Sequence, residues 1–220
     1  LVIGWVGVAL GILLTGLISH ICADQWGTST WLVAPIGASA VLLFALPSSP
    51  LAQPWPVIGG NGLSAVIGIG IAALVPDVHI AAALAVGMAI GVMFLLRCLH
   101  PPGGATALLV VMTHTVDPKF AALPVLLDSI VLVLAAALYN TLTHRPYPHP
   151  PAPPAPAAPV PGSRFTAADL DAALAHYNQV VDVNREDLEM LLHEAETRAY
   201  QRTLGELRCG EIMSRELVTV

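Results

Sequence analysis

The residues best placed to do chemistry are Arg97 and the run His100-Pro101-Pro102-Gly103-Gly104-Ala105-Thr106, in the middle of an apolar sequence. Paired prolines break a helix arriving from the N-terminal side and suit the first turn of a new one, where a missing N–H is no loss. Gly103, Gly104 and Ala105 leave the backbone N–H groups of that turn uncovered by side chains. Such a helix start carries partial positive charge. With Arg97 nearby it reads as an anion site of the kind found at broken membrane helices. The competing reading is a tight helix–helix corner whose glycines serve close packing. Arg97 also has two readings: an anion clamp with a planar fork of donors, or an arginine snorkelling from a helix end. His100 either fixes the turn or acts as a proton-linked gate.

Other chemistries find no support. The sequence holds no nucleophile elbow, metal-ligand cluster or Walker-type loop, so neither an enzyme nor a cofactor is expected. Cys22, Cys98 and Cys209 are far apart and odd in number, which fits neither a disulfide framework nor a metal site.

Composition sets the class of scaffold that must position these residues. The chain is 55% hydrophobic and 11% charged, with a mean hydropathy of +0.73, outside the range of ordinary soluble domains. Ionisable groups are sparse up to Thr143 and dense from Arg164 onward. The pattern predicts a membrane domain over 1–145, a linker over 146–162, a soluble helical segment over 163–203 and the start of a further domain over 204–220. The net charge of −6 resides mostly in the tail, and no nucleic-acid partner is expected. Membrane lipid is the expected surrounding, and a homodimer is left open. No signal peptide is visible, because the apolar run begins at Leu1 without a basic region. The expectation is that the chain starts inside or just before its first membrane helix and that a natural extension precedes it.

Six apolar segments follow, at Leu1–Cys22, Trp31–Leu46, Val57–Val75, Ile80–Leu99, Pro101–His114 and Ala122–Thr143. The second, from Pro35, and the fifth are too short for a hydrocarbon core of about 30 Å. Asn61 and Ser64 in the third, and Asp128, Ser129 and Asn140 in the sixth, are polar at membrane depth. Asp128 should face the interior, paired with Arg97 or bonded to a neighbouring helix. Pro35-Ile36-Gly37-Ala38-Ser39-Ala40-Val41-Leu42 aligns with Pro102-Gly103-Gly104-Ala105-Thr106-Ala107-Leu108-Leu109 at an offset of 67, which also puts Asn61 on Asp128. The expected fold is therefore an all-α membrane bundle of six segments arranged as a 3+3 inverted repeat, with a small cytoplasmic helical tail. Its two short helices bring Gly37, Ala38 and Ser39 towards Gly103, Gly104, Ala105 and Thr106. With Arg97, His100, Asn61 and Asp128 these are the candidate substrate-binding residues. Placing the tail in the cytoplasm puts Arg97, His100, His144 and Arg145 on that side, in keeping with the positive-inside bias, with Lys119 the dissenter.

Nine prolines between Pro146 and Pro161 make a polyproline-type spacer of about 50 Å when extended. Thr166 should cap a helix running to about Asn178, and a second helix should open at Asn184 and end near Arg202.

Arg97-Cys98-Leu99-His100-Pro101-Pro102-Gly103-Gly104-Ala105, with Pro35 to Ala40 and Pro47-Ser48-Ser49-Pro50-Leu51-Ala52-Gln53-Pro54, resembles the HPP family of integral membrane proteins, over roughly Leu1 to Pro148. The resemblance implies transport, since plastid and cyanobacterial members are nitrite transporters. Members are usually described with four spans. Ile212-Met213-Ser214-Arg215 is similar to the opening of a CBS domain, a module that often binds adenine nucleotides. Bacterial members often carry such a tail, which implies a bacterial inner (plasma) membrane and a nucleotide only in a form with the complete module. Two functions are thus expected to compete. One is a transporter or channel for a small inorganic anion, nitrite first. The other is a membrane sensor that reports to a cytoplasmic CBS module without net transport.

Overall fold

The computed structural model describes residues 2–27, 32–149, 166–177, 183 and 185–206. The chain divides into two compact units, Leu1–Pro150 and Pro151–Val220. Trp31, residues 150–165, Asn178, Asn184 and 207–220 lie outside the described residues. Most of the proline-rich spacer, Cys209 and the CBS-like opening therefore fall there.

The first unit holds six apolar helices: α1 (Val2–Trp26), α2 (Pro35–Ala45), α3 (Pro54–Leu74), α4 (Val78–Leu95), α5 (Pro101–Met112) and α6 (Leu127–Leu142). By length and composition four are able to cross a membrane: α1, α3, α4, and α6 together with the turn Ala121–Leu126 before it. Helices α2 and α5, with 11 and 12 residues, rise only about 16–18 Å. Each begins at the prolines that marked it in the sequence.

Several boundaries differ from the hydropathy reading, each for a local reason. Helix α1 runs past Cys22 to Trp26, because Ala23-Asp24-Gln25 contains no breaker; the chain turns at Gly27, with φ +67°. Helix α3 starts at Pro54 after a single 3-10 turn, Pro50–Ala52, in which Ser49 Oγ accepts the Leu51 N–H at 3.1 Å. Before α6 the helix is interrupted. Leu123 adopts φ −132°, ψ 116°, the extended state imposed on a residue ahead of proline. Helices α4, α5 and α6 share one ending. Arg97, His114 and His144 sit at φ 53°, 49° and 56°. Each donates its N–H three residues back, and the next residue donates five back (Cys98 to Met93, Thr115 to Val110, Arg145 to Asn140). These are Schellman closures with an arginine or histidine in the position glycine usually takes.

Close packing rests on glycine. Gly7 and Gly11 of α1 lie against the Phe44 ring of α2, and Gly7 also meets Tyr139 of α6; a Cβ on Gly7 would stand 2.7 Å from either ring. Phe44 and Tyr139 themselves meet edge to face at 5.6 Å. Helix α5 runs alongside α3, with Gly103 against Gly60 and Val110 against Gly68. Helix α2 runs alongside α6, where Asn140 Nδ2 donates to Leu43 O at 3.0 Å. The ends of α2 and α6 are tied together by Arg145, whose guanidinium donates to Phe44 O at 2.6 Å and Ala45 O at 3.3 Å.

In the second unit, α7 (Ala167–Tyr177) is capped by Thr166, whose Oγ1 accepts the Asp169 N–H while Asp169 accepts the Thr166 N–H. Helix α8 (Arg185–Glu206) continues past Arg202, so Gly205 does not end it. Arg185 joins the two helices by pairing with Asp171 as well as Glu189.

Candidate functional site

Six polar side chains from α1, α2, α3, α5 and α6 share the interior of the first unit, joined by His100 at the start of α5. Ser39, Asn61, His100, Thr106, Ser129, Ser19 and Asp128 are all at or within 1% of complete burial. Burial on this scale in an apolar bundle requires partners, and the side chains supply them to one another. Asn61 is the hub. Its amide nitrogen donates to Ser39 Oγ and Ser129 Oγ, both at 3.3 Å, and its Oδ1 accepts the Thr106 hydroxyl at 3.2 Å. His100 Nε2 meets Ser39 Oγ at 2.8 Å, and Nδ1 meets Leu51 O at 2.9 Å. Since Leu51 O can only accept, Nδ1 carries the proton and Nε2 accepts from Ser39.

The hydroxyls also bond back along their own helices. Thr106 donates to Pro102 O at 3.3 Å, Ser39 to Pro35 O at 3.4 Å and Ser129 to Val125 O at 2.8 Å. Thr106 and Ser39 therefore each have an alternative acceptor one turn earlier, and Ser129 already donates to one. Ser19 of α1 donates to Asp128 Oδ1. Thr15 Oγ1 and Ser64 Oγ are buried with no hydrogen-bond partner among the described residues.

Four of the sequence-derived residues, Ser39, Asn61, His100 and Thr106, thus form one connected set. Asp128 adjoins it through Ser129, its chain neighbour. The pairing of Asp128 with Arg97 does not occur. Arg97 is exposed at the C-terminal end of α4, whereas Asp128 is fully buried against α1; the alternative, a bond to a neighbouring helix, holds. Gly103 faces α3, with Gly60 O and Ser64 Oγ at 2.7 and 2.8 Å from where a Cβ would stand. Its N–H donates to His100 O at 2.8 Å, so this backbone donor serves the corner rather than standing open. Gly104 is buried, with only Val86 of α4 within reach of a Cβ, at 3.9 Å, and Ala105 points outward. Gly37 and Ala38 are exposed, turned away from the buried face of α2 that carries Ser39.

Residue spacing alone passed over Ser129, Ser19 and Ser64 as site members. The signal was present in α1, where Gly7, Gly11, Thr15, Ser19 and Ala23 recur every fourth residue as one buried stripe.

These features define a polytopic helical membrane protein whose interior is polar at the crossing of two half-length helices. The model of the HPP transmembrane region matches residues 1–148, and the chain belongs to that family. It is similar to two transmembrane proteins of Dictyostelium discoideum. One is 40% identical over 158 residues, covering 66% of this chain and 54% of the relative. The other is 37% identical over 152 residues, covering 66% and 49%. The chain thus spans about half the length of the curated relatives it matches. No solved structure matches it.

Proposed function

We propose that this HPP protein is a transporter or channel for a small inorganic anion, with nitrite the first candidate, built as two inverted halves with the tail in the cytoplasm. The observation that carries the reading is the buried donor set Ser39–Asn61–Thr106–Ser129, held where α2 and α5 begin and cross. A monovalent anion leaving water needs donors and positive potential in place of hydration. Hydroxyls, an amide and two helix starts supply these without a fixed cation, so the ion can also leave. The unpartnered Ser64 hydroxyl beside Gly103 adds a donor at the start of α5. Because Ser39 and Thr106 each have an alternative acceptor within their own helix, these donors can swing between backbone and ion at low cost. The set is closed to solvent, so entry of an ion requires α2 or α5 to move.

Support for the inverted halves comes from matching boundaries and neighbours. Helices α2 and α5 end at Ala45 and Met112, and α3 and the turn before α6 begin at Pro54 and Ala121; both pairs are separated by the offset of 67. Helix α1 packs on α2 and α6 as α4 packs on α5 and α3. Arg97 lies apart from the donor set, at an exposed mouth, where its charge raises local anion concentration.

The test is flux of nitrite, with chloride and nitrate as comparisons, into proteoliposomes. Accumulation above protein-free vesicles, reduced in Thr106→Val, supports the reading. Correctly inserted protein that moves none of the three anions leaves the sensor reading. That alternative draws on the separate helical unit that follows the membrane part.

A further inference from the structure

A groove of about 620 Å³ opens between the first turns of α1 and the last turns of α2. Its walls are Ile3, Trp5, Val8, Val41 and Ala45, and its one charged lining residue is Arg145. Ile3, Trp5 and Val41 are well exposed, at 48%, 65% and 48%. The arginine lies just past Leu142, the last residue of α6. Two of its N–H groups are spent on Phe44 O and Ala45 O, which fixes the plane of the guanidinium. A guanidinium has five N–H donors, so three remain for an outside acceptor. A fixed planar fork above an apolar trough is matched by a phosphate diester joined to an acyl chain.

We propose that this groove is a binding site for an anionic phospholipid, its phosphate on Arg145 and one acyl chain along Val8 and Val41. Charge complementarity decides the occupant. A zwitterionic lipid fills the apolar walls equally well but brings its own cation to the arginine, and a free phosphate gains nothing from the trough. The position suits the ligand, because α2 and α6 end at one face of the bundle, beside Ile3 and Gly4 of α1, at the depth where headgroups meet side chains. A lipid seated there clamps α1 to α2, the short helix that carries Ser39.

The experiment is native mass spectrometry of the full chain released from detergent, titrated with phosphatidylglycerol, phosphatidylcholine of the same acyl chains, or inorganic phosphate. The expected result is a preference for phosphatidylglycerol of about five-fold, the bias that one basic group gives, with no adduct of phosphate alone. Arg145→Gln should erase the preference. Val41→Trp, which fills the trough and leaves the arginine in place, should lower occupancy by both lipids. Equal binding of the two lipids by wild-type protein overturns the proposal. So does phosphatidylglycerol occupancy unchanged in folded Val41→Trp, displacement of the lipid by inorganic phosphate, or a dimer that Val41→Trp splits, which would put a second copy in the groove.

Discussion

Thr106 of α5 donates its hydroxyl hydrogen to Asn61 Oδ1 of α3 at 3.2 Å, while the amide nitrogen of the same Asn61 reaches Ser39 of α2 and Ser129 of α6. One side chain therefore connects four helices, including both of the short ones.

Replacing Asn61 by Ala removes all three contacts. Side-chain hydrogen bonds between membrane helices average about 0.6 kcal/mol each, so about 2 kcal/mol of stability should be lost. The loss stays at that level because Ser39, Thr106 and Ser129 fall back on Pro35, Pro102 and Val125 carbonyls rather than being orphaned. Asn61→Asp tests the proposed pathway. It keeps the acceptor for Thr106 and nearly the same volume, but replaces the amide donors with carboxylate oxygen at a fully buried position. An ionised carboxylate there costs several kcal/mol, so thermal unfolding in neutral detergent should fall at least as far as for Asn61→Ala, and correctly inserted protein should carry nitrite flux no higher than background. Wild-type flux in inserted Asn61→Asp protein would take the donor set out of the pathway.

The two adjacent glycines of α5 should respond oppositely to a single methyl group. At Gly103 an added Cβ stands 2.7 Å from the Gly60 carbonyl oxygen, a backbone atom that cannot move alone, and 2.8 Å from Ser64 Oγ. Gly103→Ala should cost about 1–3 kcal/mol as α5 is pushed off α3. At Gly104 the nearest atom is Val86 Cγ1 at 3.9 Å, ordinary contact, and alanine gains about 1 kcal/mol of helix propensity. Gly104→Ala should therefore be neutral or stabilising. Unfolding midpoints of both variants in one detergent check the contrast, and equal midpoints would contradict the packing described for Gly103.

Much of this arrangement was legible in the sequence, and the misses have physical causes. Prolines 35, 101 and 102 announce helix starts because they lack an N–H, whereas Pro54, which opens α3, sits in a stretch that reads as loop; polar residues at membrane depth announce an interior face. Asn61, Thr106, Ser39 and His100 were found this way. Which side of a short helix turns inward was not legible. In α2 and α5 apolar and small residues surround the whole helix, so no amphipathic period separates Gly37 and Ala38, which face out, from Ser39, which faces in. Ser129 and Ser19 went unassigned because a serine in a membrane helix can satisfy itself on its own backbone; only the meeting of α1, α3 and α6 gives them partners.

Arg97 and His144 occupy left-handed backbone at the ends of α4 and α6, φ 53° and 56°, where a side chain costs about 1 kcal/mol or more and glycine costs almost nothing. Arg97→Gly should raise stability by up to about 1 kcal/mol while removing the charge at the mouth. If that charge concentrates anions, flux at low nitrite should fall, and the deficit should shrink as salt is raised, since screening acts on exposed charges. His144→Gly provides the control, with the same backbone relief and no expected change in flux. Flux in Arg97→Gly equal to wild type at low salt would reduce Arg97 to a helix-end residue.

Asp77 gives the turn between α3 and α4 a defined pH dependence. Its carboxylate accepts the Ile80 and His79 N–H groups at 3.0 and 2.9 Å, capping α4. The Ile80 bond, the largest influence, holds the pKa below its ordinary value of 3.8; desolvation, the next in size, opposes it, and the His79 bond and nearby His79 ring add to the lowering. The sign follows directly. A carboxylate whose folded pKa is depressed binds fewer protons than in the unfolded chain, so its contribution is complete above the ordinary value and is lost as pH falls through the folded one. Wild-type protein should therefore lose part of the stability of α4 only in strongly acid solution. Asp77→Asn preserves a neutral cap and should flatten that limb of the stability curve, whereas Asp77→Ala should lower stability at every pH. Hydrogen exchange at the first turn of α4, followed from neutral to acid pH in the three proteins, reads the cap directly. Identical acid sensitivity in wild type and Asp77→Asn would show that another group controls this end of the helix.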